Sequence, residues 1–179
     1  MEIPNTFDKL ISKSGSTSIS QFRSAKTKAL YFSASWCTPC RKFSRILAEF
    51  YKKVNNGQKE LEIIFVSDDA SEDDFNNYYK EMPWLAVPFD ETRIIEDLQE
   101  AYQIEGLPAL VIVNENWEVL SLSGYKDVCK NQKRPSKLLK FWEKLKGKKE
   151  TKAPQKEVGD SSSEKAVKRK VKSKCFVWC

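Results

Sequence analysis

At 179 residues, with 40% hydrophobic and 12% aromatic content, the chain can bury a core without disulfide staples. Its net charge of +6 is local: residues 1–145 carry 20 basic and 21 acidic side chains, residues 146–179 carry 11 and 4. The basic balance therefore describes the tail, and the body lacks the surplus that marks a nucleic-acid binder. Five cysteines at irregular spacing do not make a secreted disulfide framework. Residues 1–8 have neither the basic start nor the apolar core of a secretory leader. No apolar run approaches the ~18 residues of a membrane span. A soluble, cytoplasmic chain in a reducing compartment is the expectation.

In chain order, Leu10-Ile11 and Ser18-Ile19-Ser20 read as short strand pieces divided by a Ser14-Gly15-Ser16 turn. Lys28 to Ser35 is a stronger strand and runs straight into Trp36-Cys37-Thr38-Pro39-Cys40. From Cys37 to Val54, Phe43, Ile46, Leu47, Phe50, Tyr51 and Val54 recur at helical intervals, and Asn55-Asn56-Gly57 supplies a stop. Leu61 to Ser67 is almost wholly apolar and β-branched, the pattern of a strand buried on both faces. Ser71 followed by Glu72, Asp73 and Asp74 starts a helix that should reach about Lys80.

Ile94 to Tyr102 suggests another short helix. Leu110 to Asn114 and Glu118 to Leu122 read as a strand hairpin, and Pro135 to Lys146 as a C-terminal helix with Leu138, Leu139, Trp142 and Leu145 on one face. The alternating first half implies parallel pairing and the hairpin adds antiparallel strands. The expected fold is α/β: a central mixed sheet flanked by helices on both faces, with an N-terminal β extension. The expected division is one domain over residues 1–146 and a Lys-rich, disordered tail over 147–179.

A Cys-x-x-Cys pair at a strand-to-helix junction puts its first sulfur at the helix N-terminus, where unpaired N–H groups and the dipole favour a thiolate. Thiols so placed have pKa values lowered from ~8.5 into the range ~3.5–7.5. Cys37 is therefore the expected nucleophile, and Cys40, one turn on and more buried, the expected resolving thiol. Pro39 stiffens the first turn without removing a needed donor, and Trp36 shields the sulfur and offers a surface to partners. A zinc site is the weaker reading, because the chain has no histidine and only Cys175 and Cys179 could complete one. An inert structural disulfide is also the weaker reading at such a junction. Pro108 in Gly106-Leu107-Pro108, taken alone, reads as a loop-to-strand boundary.

The motif and the proline-led strand after it resemble the thioredoxin superfamily. Phe32 to Cys37 with Cys40-Arg41, Leu47 to Tyr51, Ser67-Asp68 and above all Met82 to Phe89 are similar to its tryparedoxin/nucleoredoxin branch. The resemblance spans about Leu10 to Gly124. It implies a thioredoxin-like fold and a protein-disulfide reductase that cycles between dithiol and disulfide without a bound cofactor. It also implies a cis bond at Pro108 facing the cysteines, with Trp36, Thr38, Pro39, Trp84, Leu107 and Pro108 bordering the substrate. An exposed backbone before a cis proline can pair briefly with an extended substrate strand. The implied partners are disulfide-bearing proteins such as peroxidases, and a small dithiol, glutathione-like reductant or reductase as electron donor. A redox-gated binding module using the same cysteines is the rival reading.

Two departures from the branch stand out. Thr38-Pro39 replaces its usual Pro-Pro, and Tyr31 stands where other thioredoxins keep a buried acid, leaving the proton acceptor for Cys40 open. Cys129 reads as a bystander thiol, Trp117 and Trp142 as core residues, Arg41 as a solvated first-turn side chain, and Asp68 and Asp69 as the end of a strand. The run from Lys165 to Lys174 has three readings: a solvated tail, a nuclear-import or nucleic-acid patch, and a contact with an anionic membrane. The first is preferred, membrane contact is second, and nucleic acid is disfavoured as a partner. Phe176, fourth from the end, excludes a prenylation box. A monomer is expected.

Overall fold

Two hydrophobic cores, one on each face of a single mixed sheet, organise the chain. The computed structural model describes residues 9–147 and 174–175. Its elements are β1 (Leu10–Ser12), β2 (Gly15–Thr17), α1 (Ser20–Ser24), β3 (Thr27–Ser33), α2 (Thr38–Val54), β4 (Leu61–Ser67), α3 (Glu72–Tyr79), β5 (Leu85–Ala86), α4 (Thr92–Ala101), β6 (Gly106–Leu107), β7 (Ala109–Val113), β8 (Val119–Ser121), α5 (Gly124–Asn131), α6 (Pro135–Leu145) and β9 (Lys174–Cys175). The main sheet runs β2-β1-β5-β4-β3-β7-β8. β3, β4 and β5 are parallel, and the remaining pairs in this sheet are antiparallel.

β3 and β4 lie at the centre with every residue buried. Side chains alternate across a strand, so Ala29, Tyr31, Ile63 and Phe65 face one core and Leu30, Phe32, Ile64 and Val66 the other. The first core takes the apolar stripes of α2, α3, α5 and α6, including Phe43, Leu47, Phe75, Val128 and Trp142. The second takes Phe22 of α1 and Ile95 and Leu98 of α4, and it also contains Cys37, Cys40 and Leu107. Each such large side chain contributes roughly 1.5–3 kcal/mol when fully buried. Glu62, wholly buried in β4, is neutralised by Lys59 at 2.9 Å and accepts from the Tyr51 hydroxyl at 2.8 Å.

The expected mixed sheet, helices on both faces and N-terminal β extension are all present. Ser71 caps α3 by accepting the Asp74 N–H at 3.2 Å. Two expectations need correction. The second N-terminal strand is Gly15–Thr17, and Ser18–Ser20 instead leads into α1. Gly15, at φ +106°, turns the chain sooner than the serine pattern suggested. The sequence pattern predicts no helix over Gly124–Asn131, where α5 lies, because a helix opening on glycine with Gly124 and Val128 as its buried residues has little apolar periodicity. The disordered-tail expectation falls outside the described residues, except that Lys174–Cys175 forms a strand parallel to β6, pairing Gly106 with Lys174 and Leu107 with Cys175.

Candidate active site

The chain leaves β3 at Ser33 and reaches Cys37 through one tight turn, in which the Cys37 N–H donates to the Ala34 carbonyl at 3.2 Å. Cys37 is the N-cap of α2, with extended backbone at φ −87°, ψ 104°. Its carbonyl accepts the Arg41 N–H at 3.1 Å, the first bond of the helix. Pro39 lies in the first turn, where a missing N–H removes no helical bond. Cys40 follows one turn on, and its sulfur is bonded to that of Cys37 at 2.17 Å. The expected difference in burial is absent, since both cysteines are 0% exposed.

The turn ahead of Cys37 is held from below and behind. The Asp69 carboxylate accepts the Ser35 N–H at 2.7 Å and the Ser67 hydroxyl at 2.7 Å. The Trp36 indole N–H donates to the Asp68 carbonyl at 3.0 Å, leaving the ring 48% exposed. Gln99 of α4 donates to the Asp68 carboxylate at 3.1 Å. Arg41, read as a solvated side chain, stays exposed yet donates to the Ser35 carbonyl and to Thr38 Oγ1. These anchors were not legible in sequence as a group. Their only signal was a pair of aspartates at the end of β4, and β4 neighbours β3 only in the folded sheet.

Pro108 comes to the same place by topology. β7 is antiparallel to β3 with Ala109 opposite Phe32, so the residues before Ala109 continue past the end of β3 from which the cysteine turn emerges. The Leu107–Pro108 peptide bond is cis. Leu107 is fully buried in the core that contains Cys37 and Cys40. Trp36, Thr38, Pro39, Leu107 and Pro108 therefore belong to one end of the sheet.

Trp84 does not join them. It is 1% exposed and lies in the opposite core, edge-on to Tyr31 at 5.9 Å and to Tyr51 at 5.7 Å. The family resemblance placed it at the substrate border. The structure instead directs it inward, because it leads into β5 and fills the space between β3 and α2. Its indole N–H has no partner among the described residues. Cys129, half-buried on α5, also packs against this opposite core.

Beneath the first turns of α2, four hydroxyls form a chain that sequence reading did not foresee. Tyr31 donates to the Cys40 carbonyl at 3.3 Å and pairs with Ser44 at 2.8 Å. Ser44 meets Tyr78 at 2.6 Å, and Tyr78 meets Ser33 at 2.9 Å. Burial pushes the Tyr31 phenol well above its ordinary range, so this position is a neutral donor and not an acid. Among the described residues no group of three His, Cys, Asp or Glu side chains is placed to hold a metal ion.

Comparison with known proteins fits this geometry. Residues 25–119 match the family model described as Thioredoxin-like. Tryparedoxin of Trypanosoma brucei brucei is 46% identical over 105 residues, covering 59% of this chain and 72% of that one. Nucleoredoxin of Bos taurus is 43% identical over 103 residues, but the match takes in 58% of this chain and only 24% of the nucleoredoxin. A solved tryparedoxin II complexed with glutathionylspermidine aligns with TM-score 0.67 at 30% identity, covering 73% of this chain and 91% of that one. A disulfide-linked Cys37–Cys40 pair at the start of a helix, carried on this sheet and shared with these relatives, makes the chain a member of the thioredoxin-like family of thiol–disulfide oxidoreductases, in its tryparedoxin and nucleoredoxin branch.

Proposed function

We propose that the chain reduces protein disulfides, with Cys37 as nucleophile and Cys40 as resolving thiol. The observation that carries this reading is the position of Cys37 as N-cap of α2, bonded to Cys40 one turn on. In the dithiol state the Cys37 thiolate, favoured by the unpaired N–H groups of the helix start, attacks one sulfur of the substrate disulfide. The other substrate sulfur leaves as a thiolate and takes up a proton. The Cys40 thiolate then attacks Cys37, releasing the second substrate sulfur and restoring the bond seen here. An extended substrate segment would pair on Gly106–Leu107 before Pro108, with Trp36, Thr38 and Pro39 as the exposed rim.

The substrate class we favour is a disulfide-bearing protein such as a peroxidase. The favoured electron donor is a small dithiol or glutathione-like reductant, supported by the glutathionylspermidine complex of the related tryparedoxin II. We place the activity in a reducing, cytoplasmic compartment and read the chain as a monomer.

Insulin reduction with dithiothreitol as donor tests the assignment. Wild type should turn over, Cys37→Ser should be inactive, and Cys40→Ser should accumulate a mixed disulfide. Wild type no faster than dithiothreitol alone would remove the reductase reading. The complete burial of Cys37 favours one rival, a module that binds a partner in one redox state and releases it in the other. Tight redox-dependent binding with little turnover would establish that rival.

A further inference from the structure

The α5–α6 hairpin presents a positive surface that the fold does not neutralise. Residues 124–147, which hold both helices, carry eight basic side chains and two acidic ones. All eight basic side chains are exposed, whereas Asp127 and Glu143 are half-buried and Asp127 accepts the Trp142 indole N–H at 3.2 Å. Among the described residues only Lys146 of the eight meets a carboxylate, that of Glu115 at 2.9 Å. Side chains three and four apart are neighbours on a helix, so Lys137 and Lys144 flank Phe141, and Lys140 borders both lysines. Lys126 and Lys130 form a like-charged pair one turn apart on α5. Such pairs weaken a helix in water, and an anionic surface would relieve them.

Apolar side chains stand within this charge. Phe141 is 51% exposed and Leu122 65% exposed. Leu122 directly follows β8, the edge strand against which α6 packs. The hairpin also reaches the end of the sheet remote from the cysteines. Lys146 donates to the carbonyl of Lys26, just ahead of β3, while the cysteine turn leaves β3 after Ser33. Residues 68–105, which anchor that turn through Asp68 and Asp69, carry twelve acidic and two basic side chains. A negatively charged surface therefore attracts the hairpin and repels the active-site end.

We propose that the α5–α6 hairpin docks on an anionic lipid surface, its lysines at the headgroups and Phe141 and Leu122 at the boundary with the acyl chains. The docking does not depend on the roles assigned to Cys37 and Cys40. No helix among the described residues is long and apolar enough to cross a membrane, so the contact is peripheral. A bilayer suits the patch better than a nucleic acid does. Seven of the eight cations are lysines, whereas nucleic-acid recognition favours the arginine fork. Leu122 offers a base no ring to stack on, but it does suit a hydrocarbon boundary.

Co-sedimentation of the full chain with phosphatidylcholine vesicles, plain or with about one-third phosphatidylserine, tests the proposal. The chain should bind the anionic vesicles and not the plain ones, and added salt should weaken that binding. Replacing Lys137, Lys140 and Lys144 together by glutamine should weaken it about a hundredfold. Phe141→Ala should weaken it about tenfold and leave its salt dependence unchanged. All four side chains are exposed, so these variants keep the fold. No binding to anionic vesicles, or equal binding to plain ones, overturns the proposal. Undiminished binding by the triple variant overturns it too, since the contact then lies on other basic side chains. So does tighter binding to a single-stranded oligonucleotide than to vesicles, lost in the same variant.

Discussion

The Tyr31 hydroxyl donates to the backbone carbonyl of Cys40 at 3.3 Å, tying the middle of the central strand to the first turn of the redox helix. With that direction set, Ser44 donates to Tyr31, Tyr78 to Ser44 and Ser33 to Tyr78, so each hydroxyl gives one hydrogen and all but Ser33, the first in the chain, accept one from a neighbour. Tyr31→Phe leaves the Ser44 hydrogen without its acceptor. Urea unfolding should show a loss of about 1–3 kcal/mol, the usual cost of an orphaned buried polar group. Insulin turnover should stay within the same order of magnitude, because no reacting sulfur loses a contact. An unchanged urea midpoint would mean that the hydroxyl chain contributes nothing.

The same phenols set an alkaline limit. Burial raises Tyr31 and Tyr78 above the ordinary value of 10.0. The folded chain therefore keeps protons that the unfolded chain releases above that pH. Their contribution is complete below pH 10 and declines as pH rises beyond it. Thermal unfolding followed across that boundary should show a falling midpoint, with a shallower fall in Tyr31→Phe. A midpoint that stays level on the alkaline side would contradict the assignment.

Trp36 and Trp84 should behave as opposites. Trp36 is half exposed beside Cys37, so Trp36→Ala should raise KM for a protein disulfide several-fold and leave the unfolding midpoint nearly unchanged. Trp84 is a core residue, and Trp84→Ala should cost about 3–5 kcal/mol. Trp84→Phe, which removes an indole N–H with no described partner, should be tolerated with KM unaltered. A raised KM in a folded Trp84→Phe would restore it to the substrate border.

Asp69 is a positioning residue for the turn ahead of Cys37. Asp69→Asn keeps the shape but leaves a single amide oxygen where two carboxylate oxygens accept separately from the Ser35 N–H and the Ser67 hydroxyl. Alkylation of reduced Cys37 should change in rate and pH profile while the unfolding midpoint moves little. Identical alkylation profiles would leave Asp69 as a strand terminator only.

Gly124 opens α5 against β7, and a methyl added there would press on the Leu110 carbonyl oxygen. Gly124→Ala should destabilise the fold by about 1–3 kcal/mol, the common range for overpacking. Calorimetry decides the matter, and an unshifted midpoint would show that α5 simply moves aside.

Local pattern carried much of this protein. The apolar stripe from Phe43 to Val54 depends on spacing within one helix, and the run from Leu61 to Ser67 on composition within one strand, so both appear where the sequence put them. Ser71 caps its helix because a cap needs only the three residues after it. Helix α5 was missed because its buried faces are a glycine and a valine, whose burial depends on β7 being present.

The candidate site divides in the same way. Cys37, Thr38, Pro39 and Cys40 were legible because their chemistry is local: a three-residue spacing at a strand-to-helix junction sets both sulfurs and the helix end that activates one of them. Pro108 was assigned through resemblance, and the antiparallel pairing of β7 with β3 brings it to the same end of the sheet. Trp84, the Tyr31 hydroxyl chain, the Asp69 anchor and the pairing of Cys175 with Leu107 all depend on residues far apart in sequence. Only tertiary structure decided them, because a side chain's face and a strand's partner are set by which distant surfaces it must cover, and no local spacing encodes that choice.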